Sequence, residues 1–172
     1  GLLIKRYKRF FADVKVKNET LIVHCPNTGS MMGLVNQNNK VWITKAVNKK
    51  RKLKYTLQII EENGSKVGIN THFTNKIIAH ALQNNLIKNF KKTIKIKSEQ
   101  LFGKNTRFDF YLEDKKIKSF LEVKNVTLKR KSKIAEFPDS VTSRGTKHLN
   151  ELINATKKGF NAYLLFLVQR AD

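Results

Sequence analysis

A chain of 172 residues with 40% hydrophobic content is long enough for one domain or two small ones. Its 35 Lys and Arg against 13 Asp and Glu leave a net charge of +22, which points to a polyanion as partner. The longest apolar run, Ala162 to Val168, falls far short of the roughly 20 residues that cross a bilayer, and the single cysteine, Cys25, excludes an internal disulfide and a zinc finger with His24.

Residues 1 to about 61 lack a helical period. They offer short strand-like runs, "GLLIKRYKRFFADVKV", "TLIVHC", "KVWITKAV" and "KYTLQIIE", separated by "NET", "PNTGSMMG" and "NQNNK". This pattern predicts a small antiparallel barrel or curled sheet over residues 1–62. From Asn63-Gly64 the period changes. Ile77, Ile78, Ala81, Leu82, Leu86 and Phe90 recur at helical spacing, which predicts an amphipathic helix over 74–90 with Thr74 as its cap. "TIKIKSE" (93–99) and "TRFDFYLE" (106–113) then alternate as strands, the second placing Phe108, Phe110 and Leu112 on one face and Arg107, Asp109 and Tyr111 on the other. "SFLEVKNVTL" (119–128) is the next strand. A polar, basic stretch leads to a helix over 146–158, with Leu149, Leu152 and Ile153 inward and Gly159 as its stop. "FNAYLLFLVQ" (160–169), apolar on both faces, reads as a covered central strand. Residues 63–172 thus form an α-β-β-β-α-β unit, and the chain is α/β, or α+β overall.

Within that unit, a period of two sets Glu122 and Lys124 on one face of a strand, and Asp109 lies on the strand before it in a hairpin. Two carboxylates that meet in this way bind a hard cation, Mg²⁺ or Mn²⁺, and the lysine can orient or activate a water for attack on a phosphodiester. Asp109, Glu122 and Lys124 are therefore the candidate catalytic residues. The plain alternative is a cross-strand salt bridge.

Several basic residues are candidates for contact with DNA. "IKRYKRFF" interleaves Arg6, Lys8 and Arg9 with Tyr7, Phe10 and Phe11, pairing phosphate contacts with stacking platforms. Arg144 and Lys147, around Gly145, sit near a helix start where backbone N–H groups favour phosphate. Arg51, Lys52 and Arg107 complete the set. Thr28, Gly29 and Ser30 of "PNTGS" could also meet a phosphate, with a structural turn as the alternative. A solvated basic surface is the general alternative. An anionic membrane is not favoured, because no basic amphipathic helix with Trp or Leu opposite is evident.

Asp109 followed by Glu122-Val123-Lys124 resembles the core of the PD-(D/E)xK nuclease superfamily. More of the chain, through "RYKRFFADV", "HCPNTGSMMG", "RKLKYTL", "VGINT", "RFDFYL", "EVKNVTL", "FPDSVTSRGTKHL" and "LLFLVQR", resembles the sugar fermentation stimulation protein A (SfsA) family. The resemblance implies an N-terminal OB-fold, a restriction-endonuclease-like C-terminal domain, non-specific DNA binding and a role in regulating sugar-metabolism genes. Two departures stand out. The family's chain continues past "FLVQR", so the C-terminal end here is expected to be truncated. The helix ahead of the strands carries a glutamate in a pattern like "P-N-x-L-x-x-E-A", where "TNKIIAHAL" has Thr74 for the proline and His80 for the acid. His80 is thus a further candidate metal ligand, its imidazole better suited to Mn²⁺ or Zn²⁺ than to Mg²⁺.

The expected function is sequence-independent DNA binding with a metal-dependent phosphodiesterase site, in the cytoplasm. The rival is a DNA-binding regulator without catalysis. RNA as the ligand is supported by charge alone, and the sequence leaves the oligomeric state open.

Overall fold

The structure, a computed structural model, describes residues 1–90, 95–103 and 106–172. It divides into two compact units. The first comprises Gly1–His72, Asn125–Val141 and Val168–Asp172, and the second Phe73–Lys124 and Thr142–Leu167.

In the first unit, β1 (Leu2–Tyr7), β2 (Phe11–Val16), β3 (Glu19–His24), β4 (Val41–Lys45), β5 (Tyr55–Glu62) and β6 (Ser65–Gly68) form one sheet. Its order is β1-β2-β3-β5-β4, with β6 on β5. The entry to β4 returns to β1 through the Leu2–Lys40 bridge and the bond from Val41 N to Gly1 O at 2.9 Å, which curls the sheet round toward its first strand. This is the OB-like strand order. Alternating residues such as Leu3, Ala12, Val14, Val23, Leu57 and Ile60 fill its core. The unit runs on to His72 instead of ending at residue 62, because Asn63 and Gly64, at φ 48° and 79°, turn the chain back and β6 pairs with β5.

In the second unit, α1 (Thr74–Gln83), β7 (Lys95–Phe102), β8 (Thr106–Asp114), β9 (Ile117–Val126), α2 (Ser143–Lys157) and β10 (Asn161–Val168) follow the expected order. The sheet runs β10-β9-β8-β7. Ile78 and Leu82 of α1 pack with Phe110, Leu112, Leu121 and Val123. Leu152 and Ala155 of α2 pack with Phe102, Phe108 and Phe120. Phe120 and Leu121 are neighbours on one strand, so the two helices cover opposite faces.

Several local expectations need correction. The first helix stops at Gln83 instead of Phe90, because Asn84 donates its amide to His80 O at 2.8 Å and Asn85 takes a left-handed φ of 56°. A separate 3₁₀ turn covers Lys88–Phe90. The cap position of α1 is Phe73, with no side-chain bond, and Thr74 lies buried in the first turn. The last helix begins at Ser143, three residues earlier than expected, because Thr142 Oγ1 accepts from Gly145 N at 3.1 Å. Its inner face is His148, Leu152 and Ala155, while Leu149 and Ile153 are exposed. β10 is an edge strand with Tyr163, Phe166 and Val168 exposed, where a covered central strand was expected. The first two positions of the strand expected over 93–99 lie outside the described residues.

Candidate active site

The candidate residues gather where the regular alternation of β8 breaks. Phe108 and Phe110 are two positions apart and both fully buried, yet Phe108 joins the α2 cluster and Phe110 the α1 cluster. The β7–β8 ladder skips the Glu99/Asp109 position, where Glu99 adopts φ 54°, and the β8–β9 ladder stops at the pair Phe110–Leu121. The expectation that Phe108 shares a face with Phe110 and Leu112 therefore fails at Asp109, the position that carries the acid.

Freed from the ladder, Asp109 binds elsewhere. Its Oδ2 accepts from Val123 N at 2.7 Å, and its Oδ1 accepts from Asn75 Nδ2 of α1 at 2.7 Å. The acid is thereby tied to the middle residue of Glu122-Val123-Lys124. A carboxylate oxygen has two lone-pair sites, so each oxygen of Asp109 keeps room for a further partner.

Glu122 is 3% exposed. Its Oε1 accepts from Lys124 Nζ at 2.5 Å and from His148 Nδ1 of α2. A carboxylate can only accept, so His148 carries its proton on Nδ1 and its 3.5 Å approach to Lys124 Nζ is proximity between two donors. Glu122 Oε2 is buried with no hydrogen-bond partner. A buried carboxylate needs compensation at both oxygens, because an unpaired buried charge is costly. The orphaned Oε2 is an atom that could hold a hard cation.

His80 is not brought to this site. It is exposed on α1 and its ring meets Asn84 Nδ2 at 3.3 Å. At about 100° per residue, it lies roughly 140° around the helix from Asn75, away from the arc of Ile78 and Leu82 that meets the sheet. Among the described residues no group of three or more His, Cys, Asp and Glu side chains is placed to hold a metal ion. Sequence reasoning also missed His148 and Asn75. His148 recurs at i, i+4, i+7 with Leu152 and Ala155, and a polar residue on an apolar stripe is a signal that could have found it.

The basic candidates separate into two kinds. Lys8, Arg9, Lys52, Arg107, Arg144 and Lys147 are exposed. Lys8 and Arg9, at φ 47° and 60°, form the tip of the β1–β2 hairpin together with the exposed Phe10. Arg6 is half-buried, and its Nη2 donates to Asn27 O and Gly29 O, each at 2.9 Å, so it braces the "PNTGS" loop. Asp139 closes that loop, accepting from Ser30 Oγ at 3.2 Å and Met31 N at 3.3 Å. An acid at that position opposes a phosphate there. Arg51 is half-buried and donates to Thr56 Oγ1 at 3.1 Å.

A curled OB-like sheet joined to an α-β-β-β-α-β unit, with Asp109 bound to the centre of an E-x-K, defines an OB domain coupled to a restriction-endonuclease-like fold. Residues 4–69 match the SfsA N-terminal OB domain and residues 72–172 the sugar fermentation stimulation protein RE domain. The chain belongs to the SfsA family. It is 60% identical over 169 residues to the sugar fermentation stimulation protein homolog of Pelagibacter ubique (strain HTCC1062), covering 98% of this chain and 73% of that protein. It is 46% identical over 172 residues to the homolog of Bartonella quintana (strain Toulouse), covering 99% of this chain and 74% of the relative. Pyrococcus furiosus SfsA, solved in complex with Ca²⁺, superposes with a TM-score of 0.88 at 26% identity, covering 98% of this chain and 71% of that one. Among the described residues no helix is long and apolar enough to cross a membrane.

Proposed function

We propose that this protein binds DNA without regard to sequence and hydrolyses its phosphodiesters with Mg²⁺ or Mn²⁺ held by Asp109 and Glu122. The observation that carries the reading is the orphaned, buried Oε2 of Glu122, in a carboxylate whose other oxygen is taken by Lys124 and His148. Support for a cation comes from the Ca²⁺ complex of the Pyrococcus relative. Once bound, the cation offsets phosphate charge and lowers the pKa of a coordinated water. The chain's own residues do the rest. Lys124 neutralises Glu122 and presents an ammonium beside the place a phosphate would take. His148 fixes the rotation of Glu122 so that Oε2 faces outward from the pair. Asn75 and Val123 N hold Asp109.

A second reading, a DNA-binding regulator of sugar-metabolism genes without cleavage, is favoured because no group of three or more His, Cys, Asp and Glu side chains among the described residues is placed to hold a metal ion. One experiment separates the two: cleavage and gel-shift assays on linear, plasmid and single-stranded DNA with Mg²⁺ or Mn²⁺, beside Asp109→Ala. The nuclease reading expects cleavage that Asp109→Ala removes while binding persists. Binding without cleavage under both metals selects the regulator.

A further inference from the structure

We infer that the first unit contains a phosphate-binding site built from Arg51, His24 and His72, a deepening of the DNA-binding reading on which it rests. Three segments of the unit bring these side chains together. His24 ends β3 and pairs in parallel with Thr56 of β5. Arg51 Nη1 bonds to Thr56 Oγ1 at 3.1 Å, which holds the guanidinium against the strand neighbour of His24. His72 lies in the 3₁₀ turn Thr71–Phe73, its ring centroid 6.3 Å from that of His24. The turn is itself anchored. His72 N donates to Asn70 Oδ1 at 3.0 Å, Asn70 Nδ2 donates to Gln58 Oε1 of β5 at 2.7 Å, and Thr71 Oγ1 donates to Pro26 O at 3.0 Å.

The charge pattern decides what such a cluster can take. Two histidines at this spacing do not make a metal site here, because the guanidinium of Arg51 repels a cation. Burial, followed by the nearby Arg51 and His72, pushes the pKa of His24 below the ordinary imidazole value. His24 Nδ1 is also buried with no hydrogen-bond partner. A planar guanidinium, two imidazoles and an unmet ring nitrogen fit a tetrahedral oxyanion, whose oxygens accept from all of them. The ligand is therefore a phosphate group, supplied either by the DNA backbone or as free phosphate.

The four histidines of the chain allow a direct test on the ¹⁵N-labelled chain in chloride buffer. Ring-nitrogen shifts are followed through pH titrations with no addition, with inorganic phosphate, and with a short duplex DNA. A phosphate beside an imidazole favours its protonated form, so His24 should titrate at higher pH with ligand, and the His72 ring signals should move with it. Arg51→Ala should abolish the ligand-dependent change at His24, and Arg51→Lys should restore part of it. A response to duplex DNA assigns the site to the backbone. A response to inorganic phosphate alone keeps the site and makes free phosphate its ligand, even if gel shifts show no DNA binding. Unchanged His24 and His72 signals in both arms would overturn the site, whatever the outcome of the cleavage assay.

Discussion

The β1–β2 hairpin of the first unit and the E-x-K strand of the second hold charge in opposite ways. At the tip of the β1–β2 hairpin, Lys8 and Arg9 stand exposed in left-handed conformations beside an exposed Phe10. In the second unit, Lys124 and His148 are withdrawn from solvent and both bonded to the buried Glu122. Exposed cations are inexpensive to maintain and act through long-range attraction, which salt screens. Buried ions must be matched partner by partner, and an unmatched atom such as Glu122 Oε2 points to a ligand. The comparison assigns affinity to the first arrangement and chemistry to the second.

The largest expected effect concerns the exposed charge. If about five phosphates are neutralised, log K falls with log[salt] at a slope of roughly −4.5, a loss of roughly 500-fold between 50 and 200 mM salt. Fluorescence anisotropy at four salt concentrations measures the slope, and a flat response would break the comparison at its first term.

Replacing Lys8 and Arg9 together by Ala should weaken DNA binding by about tenfold for all sequences and flatten the salt slope by roughly 2. Sequence-dependent loss in the same anisotropy assay would assign these residues to base contacts.

Arg6→Ala sharpens the contrast, because Arg6 shares the segment of Lys8 and Arg9 but spends its donors on Asn27 O and Gly29 O. Denaturant unfolding should show a loss of about 1.5–3 kcal/mol, the range of hydrogen bonds that involve a charged group. Its effect on the salt slope should be smaller than that of either exposed neighbour. An effect on binding alone would return Arg6 to the contact surface.

The smallest effect is expected at His80. Because His80 faces away from the arc of α1 that meets the sheet, His80→Glu should leave Mg²⁺-dependent cleavage within about twofold of the parent, as surface changes away from a site usually do. A large gain in the cleavage assay would place residue 80 at the carboxylates after all.

Much of the architecture was legible in the sequence because it is written in local periods. The α-β-β-β-α-β order follows from side-chain periods that most of its elements keep, while the change to helical spacing falls at Thr74, after β6, and not at Asn63-Gly64. Asp109 and Glu122-Val123-Lys124 were legible as motif residues, and the bond from Val123 N to Asp109 ties them together. What was not legible depends on contacts distant in sequence. Nothing near Phe108 marks the loss of alternation, which arises where both neighbouring ladders are interrupted around Asp109. Asp139 lies within a basic stretch, and its bonds to Ser30 and Met31, with that of Arg170 to Thr127 O, show that residues 125–141 return to the first unit. Arg6 reads as one more cation in "IKRYKRFF" until its carbonyl partners are seen. His148 lies within "SRGTKH", where the eye goes to the exposed Arg144 and Lys147, and its inward direction follows from its spacing to the buried Leu152 and Ala155.

The most direct test of the buried site is calorimetric titration of the intact chain with Mn²⁺, comparing the parent with Glu122→Gln. The substitution keeps the shape of the side chain and removes the charge at Oε2. The account predicts one Mn²⁺ per chain in the parent and at least about tenfold weaker binding in Glu122→Gln, as expected when a hard cation loses an anionic oxygen ligand. Equal affinity in the two proteins would contradict it.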